Sequence, residues 1–441
     1  MPFRCHVIRI LPLLFFLLLP DRVGAVALNG LSADSLAFRS SNTVEHQCLD
    51  VTDSLNLSTK NSLSDSTFTR SSLSPFSMMR AGRLGHRIEL DAVPASILHT
   101  NQYLKGGNIE GRTMNHAFTF RAKYAFQLPE QSLLSQIYRE AYQGIGVAFH
   151  DFNWQIGHPW SFFVFQGARI KKFSRALSLN YEWNLGLTFG WHPFDRQTNP
   201  DNRVIGSKVT AYIDADFYLR WRLSRCLDLN AGVSMIHFSN GNTTIPNAGL
   251  NVVGGRLSLA YYIHRQDADR VPSRMLPRFH HFWGVDVVLF GAYRSLGYND
   301  NGVPQALPGK FGVGGFSVNP LYHVNYWFSF GPSLDGVYDR SANVEYTPTD
   351  SNAEPDVVQP SSVWKQMALG LAARAEFRMP FFCINVGVGR NILAENGDLK
   401  AWYQLLALKL DLSRHLFLHI GYSLHDFRYP NHLMLGAGWH F

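Results

Sequence analysis

Apolar and polar residues alternate along several long stretches of the chain. In Leu177–Trp191 every odd-numbered residue is Leu, Tyr, Trp or Phe, and every even-numbered residue is polar or glycine. The stretches Val209–Arg222 and 416–424 repeat this pattern. Successive side chains of a β-strand point to opposite faces, so each stretch predicts a strand with one apolar face. These strands exceed the roughly five or six residues usual in globular sheets, and aromatic residues lie near the ends of their apolar rows, as in membrane barrels. We predict an all-β protein, a transmembrane antiparallel barrel, because a closed sheet satisfies its backbone within hydrocarbon.

The connections between these stretches alternate between short and long. Residues 171–176 and 412–414 are short connections, whereas residues 192–206 and 340–362 are long ones. Bacterial barrels have even strand numbers, short periplasmic turns and longer outer loops, so the pattern predicts about 16 strands, with about 12 to 14 as the fallback. A single barrel of about that size has room for a water-filled lumen.

The last residues, 433–441, alternate as well and end the chain on an outward-facing aromatic residue, Phe441. This segment resembles the C-terminal strand of bacterial outer-membrane proteins. The resemblance implies that the barrel-assembly machinery recognises the strand. We therefore assign residues 86–441 to a multi-pass barrel in the bacterial outer membrane.

The start of the chain is typical of an exported protein. Residues 1–27 predict a signal peptide, with Arg4 and Arg9 before an apolar run that is too short to be trusted as a membrane-spanning helix. Residues 28–85 are polar and without sustained periodicity, so we interpret them as a disordered arm. The net charge of +7 suits anionic lipid headgroups and equally a plain basic surface. We expect no nucleic-acid partner, no cofactor and no metal site.

A histidine and a serine extend one apolar row at residues 237–240. Leu229, Ala231, Val233 and Met235 precede His237 and Ser239 on the same strand face. In a membrane barrel this row faces lipid, and connection lengths place its end at the outer rim. A serine hydroxyl needs a base to become nucleophilic, and histidine is the usual base near neutral pH. The pair is also compatible with ordinary packed or solvated residues, so further groups have to be considered.

Three further kinds of group accompany the pair. Asn251, in the same row of the next predicted strand, can accept the second ring proton of the histidine and so orient it. Negative charge that develops on an attacked ester needs hydrogen-bond donors. Asn240, Gly241 and Asn242 can supply side-chain or backbone N–H groups. The candidate site therefore comprises Ser239, His237 and Asn251, with these three residues in support.

The segment His237-Phe238-Ser239-Asn240, followed by Pro246-Asn247-Ala248-Gly249-Leu250, resembles the lipid A 3-O-deacylase (PagL-like) family of outer-membrane barrels, a family of acyloxyacyl hydrolases. The family pattern is H-x-S-N, a short loop, and then P-N-x-G-x-E. The resemblance implies removal of the ester-linked 3-hydroxyacyl chain of lipid A, with Ser239 as nucleophile, His237 as base and Asn240 in the oxyanion hole. It departs at one position, because the acidic residue of the family falls on Asn251.

The same site is also similar to the outer-membrane phospholipase A family, which has H-x-S-N-G and an asparagine as third triad member. That family depends on calcium and acts as a dimer, and its calcium-loop Arg and Ser residues are not matched here, where Asn242 and Asn247 stand. The Pro-Asn-x-Gly segment favours the deacylase.

We expect a serine esterase that acts on lipid A (lipopolysaccharide) in the outer leaflet. Two alternatives stay open, a phospholipase and a catalytically inactive, porin-like transport barrel.

Overall fold

The computed structural model describes residues 84–128, 132–263, 265, 276–300, 303–347, 355–395, 399–426 and 429–441. The predicted signal peptide (1–27) and the polar arm (28–85), apart from its last two residues, lie outside the described residues. Within these ranges no helix is long and apolar enough to cross a membrane.

Eight antiparallel strands form a first closed barrel. They are β1 (Gly85–Ile97), β2 (His116–Gln127), β3 (Tyr142–Asp151), β4 (Gly157–Lys172), β5 (Leu177–Trp191), β6 (Val209–Arg222), β7 (Leu227–Ser239) and β8 (Leu250–Ile263). Strands that follow one another in sequence pair, and β1 pairs with β8, so that Leu90 lies opposite Leu259. A 3-10 turn, Tyr103–Lys105, follows β1, and a short helix, Leu133–Ile137, follows β2.

Eight further strands form a second closed barrel. They are β9 (Phe282–Arg294), β10 (Phe311–His323), β11 (Phe328–Asp339), β12 (Met367–Arg378), β13 (Phe382–Ala394), β14 (Trp402–Asp411), β15 (Leu416–His425) and β16 (Tyr429–His440). β16 closes this barrel against β9. The connections carry two small hairpins, Gly297–Asp300 with Val303–Ala306 and Glu345–Thr347 with Asp356–Val358, and a 3-10 turn, Val363–Gln366.

The all-β fold and the predicted strand number are confirmed, since the two barrels contain eight long strands each. The single barrel expected over residues 86–441 is corrected to two barrels. Hydrogen bonding closes β8 onto β1 before the chain passes through residues 264–281 to β9. Alternation fixes which way each side chain faces, but it does not specify the strand at which a sheet closes.

Paired charges fill the lumen of the first barrel. Nine ionisable side chains, each at most 3% exposed, lie there: Arg87, Arg121, Lys123, Arg256, Glu89, Asp91, Glu182, Asp214 and Asp216. Arg256 alone lies 2.6 to 3.3 Å from the carboxylates of four of these residues. The interior of an eight-stranded barrel is narrow enough for side chains to fill it, and these residues do so.

The second lumen is filled in a similar way. Lys409 lies between Asp286, at 2.9 Å, and Glu376, and Arg374 lies 2.6 Å from Asp335. The prediction of a single barrel with a water-filled lumen is therefore wrong, since the described strands form two barrels that side chains fill.

The two barrels contact each other at several points. Near the inner end, the ring of Trp183 on β5 meets Phe382 on β13 at a centroid distance of 4.9 Å. At the outer end, Arg196 donates a hydrogen bond of 2.9 Å to Gln305 Oε1. The β7–β8 connection, residues 240–249, also contacts the second barrel there, as described below.

The two barrels share a local repeat at the turn between their sixth and seventh strands. Leu223-Ser224-Arg225 and Leu412-Ser413-Arg414 have the same sequence, and each serine Oγ accepts hydrogen bonds from the backbone N–H groups two and three residues later. Strand register around the turn is also the same, since Arg222 pairs with Asp228 and Asp411 pairs with Phe417. The two barrels therefore have the same short turn at this position.

The charge network generates a stability prediction. Arg256→Met removes the cation shared by four buried carboxylates, and loss of one partner of a buried ion pair costs about 3 to 5 kcal/mol. We expect the free energy of unfolding to fall by about this amount in urea titrations of the protein in lipid vesicles. Arg225→Met, in an exposed turn, is the control and is expected to change it by less than about 0.5 kcal/mol. Equal stability of the two variants would contradict the inferred role of the network.

Candidate active site

The outer end of β7 directs His237 and Ser239 away from the lumen. The neighbours Ile236 and Phe238 are buried inside the barrel, whereas Val233, in the same row as the pair, is 52% exposed. Strand alternation therefore continues through the site, and the pair lies on the outer wall, as the sequence predicts. Both side chains are half-buried.

Phe238 anchors this strand end from the inside. Its ring packs against His150, Trp191 and Tyr212, with centroid distances of 5.0, 5.1 and 5.6 Å. Close packing of large rings restricts the motion of the backbone that carries them. The aromatic cluster thus fixes the backbone between the histidine and the serine.

Asn251 lies directly opposite His237 on β8. The distance between His237 Nδ1 and Asn251 Oδ1 is 2.7 Å. An amide oxygen accepts a hydrogen bond, so this contact corresponds to a proton on Nδ1 and leaves Nε2 free to act as a base. The two side chains are in contact, as the sequence predicts. Asn251 is nearly completely buried.

Ser239 lies two residues further along the same row. Among the described residues, its hydroxyl makes no hydrogen bond to the His237 ring. Hydrogen bonds between a nucleophile and its base are often loose in the absence of substrate and tighten in the reacting complex. The row thus brings base and nucleophile to one face without a preformed contact between them.

The loop after β7 is braced by its own asparagines. The backbone N–H of Asn240 donates to Asn247 Oδ1 at 3.1 Å, and Asn240 Nδ2 donates to the Thr244 carbonyl at 2.9 Å. Asn247 Nδ2 donates in turn to Asn242 Oδ1 at 3.2 Å. The side chains of Asn240 and Asn242 therefore hold the loop in shape, and one amide hydrogen of Asn240 is left for other contacts.

Gly241 has an unoccupied backbone donor at the start of this loop. No hydrogen bond from its N–H is present within the described part of the chain. Its φ of +62° is in the left-handed region, and an added Cβ would lie 2.8 Å from Leu433 Cγ in the second barrel. A side chain at this position would therefore be strained in conformation and would crowd Leu433.

Gly249 closes the other side of the site. Its φ is +72°, and a Cβ at this position would lie 3.1 Å from His237 Cε1 and 3.8 Å from Ser239 Cβ. Because glycine has no side chain, the loop can pass close to the side chains of His237 and Ser239. This glycine belongs to the sequence motif, but the motif does not reveal its contact with the pair.

Two family models match the chain. The model described as "Lipid A 3-O-deacylase (PagL)" matches residues 134–260, which include the site, and the model described as "Acyloxyacyl hydrolase, C-terminal domain" matches residues 283–441. The two ranges together account for most of both barrels.

The chain belongs to the PagL family.

As a PagL-family member, the protein is an ester hydrolase and a β-barrel of the bacterial outer membrane. The resemblance inferred from residues 237–250 is therefore confirmed at the level of the family. The third site residue is still a departure, since Asn251 stands where the family motif places an acidic residue.

Solved structures with similarity to this PagL-family protein include three outer-membrane proteins. The outer membrane enzyme PagL is 14% identical and the alignment covers 38% of this chain and 97% of that one, with a TM-score of 0.27. Neisserial surface protein A is 11% identical, with 40% and 96% covered and a TM-score of 0.26. The siderophore receptor PirA from Pseudomonas aeruginosa is 7% identical, with 82% and 81% covered and a TM-score of 0.21. No curated protein matches the chain.

The site also contains groups that sequence reasoning missed. Asn247 and Gly249 lie within the matched motif, so the motif itself was a signal for them. Ser295, Lys310 and Leu433 come from the second barrel and contact the loop at residues 241–244. No pattern in the sequence links those three residues to the loop.

The geometry at Gly249 generates a prediction. Gly249→Ala forces a Cβ against His237 and a strained φ, and displacement of a catalytic group by about 1 Å can cost about a hundredfold in rate. We expect ester hydrolysis to fall by at least about tenfold, measured with purified protein in detergent micelles. Gly255→Ala, on the adjoining strand β8 with nothing within 4 Å of an added Cβ, is the matched control and should retain wild-type activity. Full activity of a folded Gly249→Ala protein would be the contrary result.

Proposed function

We propose that this PagL-family protein removes an ester-linked 3-hydroxyacyl chain from lipid A in the outer leaflet, with Ser239 as nucleophile, His237 as base and Asn251 as the group that orients the base. The observation that carries the proposal is the 2.7 Å hydrogen bond between His237 and Asn251 in the lipid-facing row that also contains Ser239. A nucleophile on the outer wall of a barrel meets lipid rather than a soluble substrate.

The reaction follows from the donors and acceptors in place. Asn251 Oδ1 accepts the Nδ1 proton of His237, so Nε2 can take the proton of Ser239 Oγ as that oxygen attacks the ester carbonyl carbon. Negative charge then develops on the carbonyl oxygen, and we assign its stabilisation to the N–H of Gly241, with Asn240 and Asn242 shaping the loop. The protonated His237 gives its proton to the departing sugar oxygen. Water, deprotonated by the same ring, then attacks the acyl carbon, and His237 returns that proton to Ser239 Oγ as the fatty acid leaves.

The neutral Asn251 is sufficient for the orienting role. An amide oxygen fixes the tautomer and the ring orientation of His237 as a carboxylate does, but it adds no charge to stabilise the imidazolium. An asparagine at this position is also what the phospholipase A family has. Phospholipid is accordingly the second candidate substrate, and the same experiment distinguishes the two.

The decisive experiment is mass spectrometry of lipid A and phospholipids from a Gram-negative host that expresses the full chain, beside Ser239→Ala and His237→Ala. We expect loss of one 3-hydroxyacyl mass from lipid A with the wild type and with neither variant. Lysophospholipid in place of deacylated lipid A would assign the phospholipase reaction. Unchanged lipids in the presence of correctly inserted wild-type protein would refute the enzymatic proposal.

Asn251 is expected to contribute less than the nucleophile. Ser239→Ala removes the attacking group and is expected to lower turnover about 10⁴-fold or more, whereas the residue that orients the base typically contributes about ten- to a hundredfold less. We therefore expect Asn251→Ala to retain measurable turnover of lipid A in mixed micelles. A loss equal to or greater than that of Ser239→Ala would contradict the orienting role.

The C-terminal strand is a candidate binding site for a second partner. We propose that the barrel-assembly machinery recognises β16 and Phe441. The side chain of Phe441 is 73% exposed, while its backbone N–H donates to the Val285 carbonyl at 2.9 Å. An exposed terminal aromatic on a paired strand is accessible to such a partner.

A further inference from the structure

The second barrel binds the loop that carries the Gly241 donor. Ser295, the residue after β9, donates its backbone N–H to the Asn242 carbonyl at 2.8 Å and its hydroxyl to the Thr243 carbonyl at 2.9 Å. Lys310, just before β10, donates its ammonium to the same Thr243 carbonyl and to Ser295 Oγ, the latter at 2.9 Å. The Lys310 ammonium also lies 3.5 Å from Thr244 Oγ1. We call Ser295 and Lys310 the clamp.

Thr243 links the clamp to the residue before Gly241. Its backbone N–H and its hydroxyl both donate to the Asn240 carbonyl, at 3.3 and 2.9 Å. The peptide unit between Asn240 and Gly241 is planar, so the direction of the Asn240 carbonyl determines the direction of the Gly241 N–H. The contacts therefore run from Lys310 and Ser295 through Thr243 to the Asn240–Gly241 peptide.

Leu433, near the start of β16, limits the position of Gly241 from the other side. An added Cβ on Gly241 would lie 2.8 to 3.2 Å from three atoms of the Leu433 side chain. Direction and position of the Gly241 peptide are thus both restricted by residues of the second barrel. The β5–β6 loop of the first barrel contacts the later half of the segment, where Ala248 and Gly249 donate to the carbonyls of Arg203 and Val204 and Gly206 packs against Pro246.

We propose that Ser295 and Lys310 are positioning residues for ester hydrolysis, which hold the Gly241 N–H in the direction of the developing oxyanion. The second barrel is then part of the catalytic unit, although it supplies no nucleophile or base. This proposal rests on the proposed function, because it assigns to Gly241 the donor role in that reaction.

The charge of Lys310 permits another role, contact with an anionic group of the substrate. The geometry favours positioning, because the ammonium is directed at the Thr243 carbonyl and at two hydroxyl oxygens of the loop and the clamp. A substrate contact would change substrate affinity, whereas a positioning role changes the rate of the chemical step. Separate measurement of KM and kcat distinguishes the two roles.

The test uses the full chain and purified lipid A in mixed micelles. The double variant Ser295→Ala/Lys310→Met is expected to lower kcat by about tenfold or more, since removal of one oxyanion donor costs about 10² to 10³ in kcat, while KM stays within about twofold. Lys310→Arg keeps a cationic donor and should restore most of the rate. Thr243→Val, which removes the hydroxyl donor to Asn240, should lower kcat in the same way, and Thr243→Ser should restore it.

A matched control separates the clamp from contact between the barrels in general. Gln305→Ala removes the acceptor of the Arg196 hydrogen bond, which joins the barrels without contact to residues 241–244, and should leave kcat unchanged. Equal loss in this variant, or a raised KM with unchanged kcat in the clamp variants, would overturn the positioning role. Full activity of the clamp variants beside an inactive Ser239→Ala would reject the clamp alone. Full activity of Ser239→Ala would reject the proposed function itself.

Discussion

Closure of each sheet at its eighth strand is the constraint on which the rest of the molecule depends. A barrel of eight strands has an interior that side chains can fill, and in the first barrel a network of four cationic and five acidic side chains occupies it. A lipid therefore has no route through the lumen, and chemistry on a lipid has to take place on the outer wall. The alternation of β7 puts His237 and Ser239 on that wall, and the same alternation on β8 puts Asn251 beside them.

Strand bounds and the grouping of the site residues were accessible from the sequence. β5 and β6 begin and end where the alternation of Leu177–Trp191 and Val209–Arg222 begins and ends. The face of a side chain depends only on the parity of its position, whatever strand lies next to it. The proximity of His237 and Asn251 was predictable for the same reason, since both belong to the outward row and a short loop joins their strands.

The division into two barrels was not accessible in this way. The sequence pattern of an outward-facing row is the same in one large barrel and in two small ones, because both expose that row to lipid. The segment 264–281 is longer than the short connections at 171–176 and 412–414, but length alone does not specify with which strands its flanking strands pair. The clamp was hidden for a related reason, since Ser295 and Lys310 lie 52 and 67 residues from Thr243 in the sequence. Contacts between separately closed sheets follow from the packing of whole barrels, which no local pattern encodes.

The second barrel serves a site that it does not duplicate. Counted from the shared Leu-Ser-Arg turn, Asp426 and Arg428 occupy the sequence positions of His237 and Ser239. The second barrel thus has neither the nucleophile nor the base at the corresponding positions. In an isolated first barrel the carbonyls of Asn242 and Thr243 would lack the donors that Ser295 and Lys310 provide. A backbone segment exposed to water samples many conformations, and each ordered residue costs about 1 to 2 kcal/mol of backbone entropy. When the second barrel orders this loop within the folded chain, that cost falls on folding rather than on the catalytic step, which gives the second barrel a physical role without any chemistry of its own.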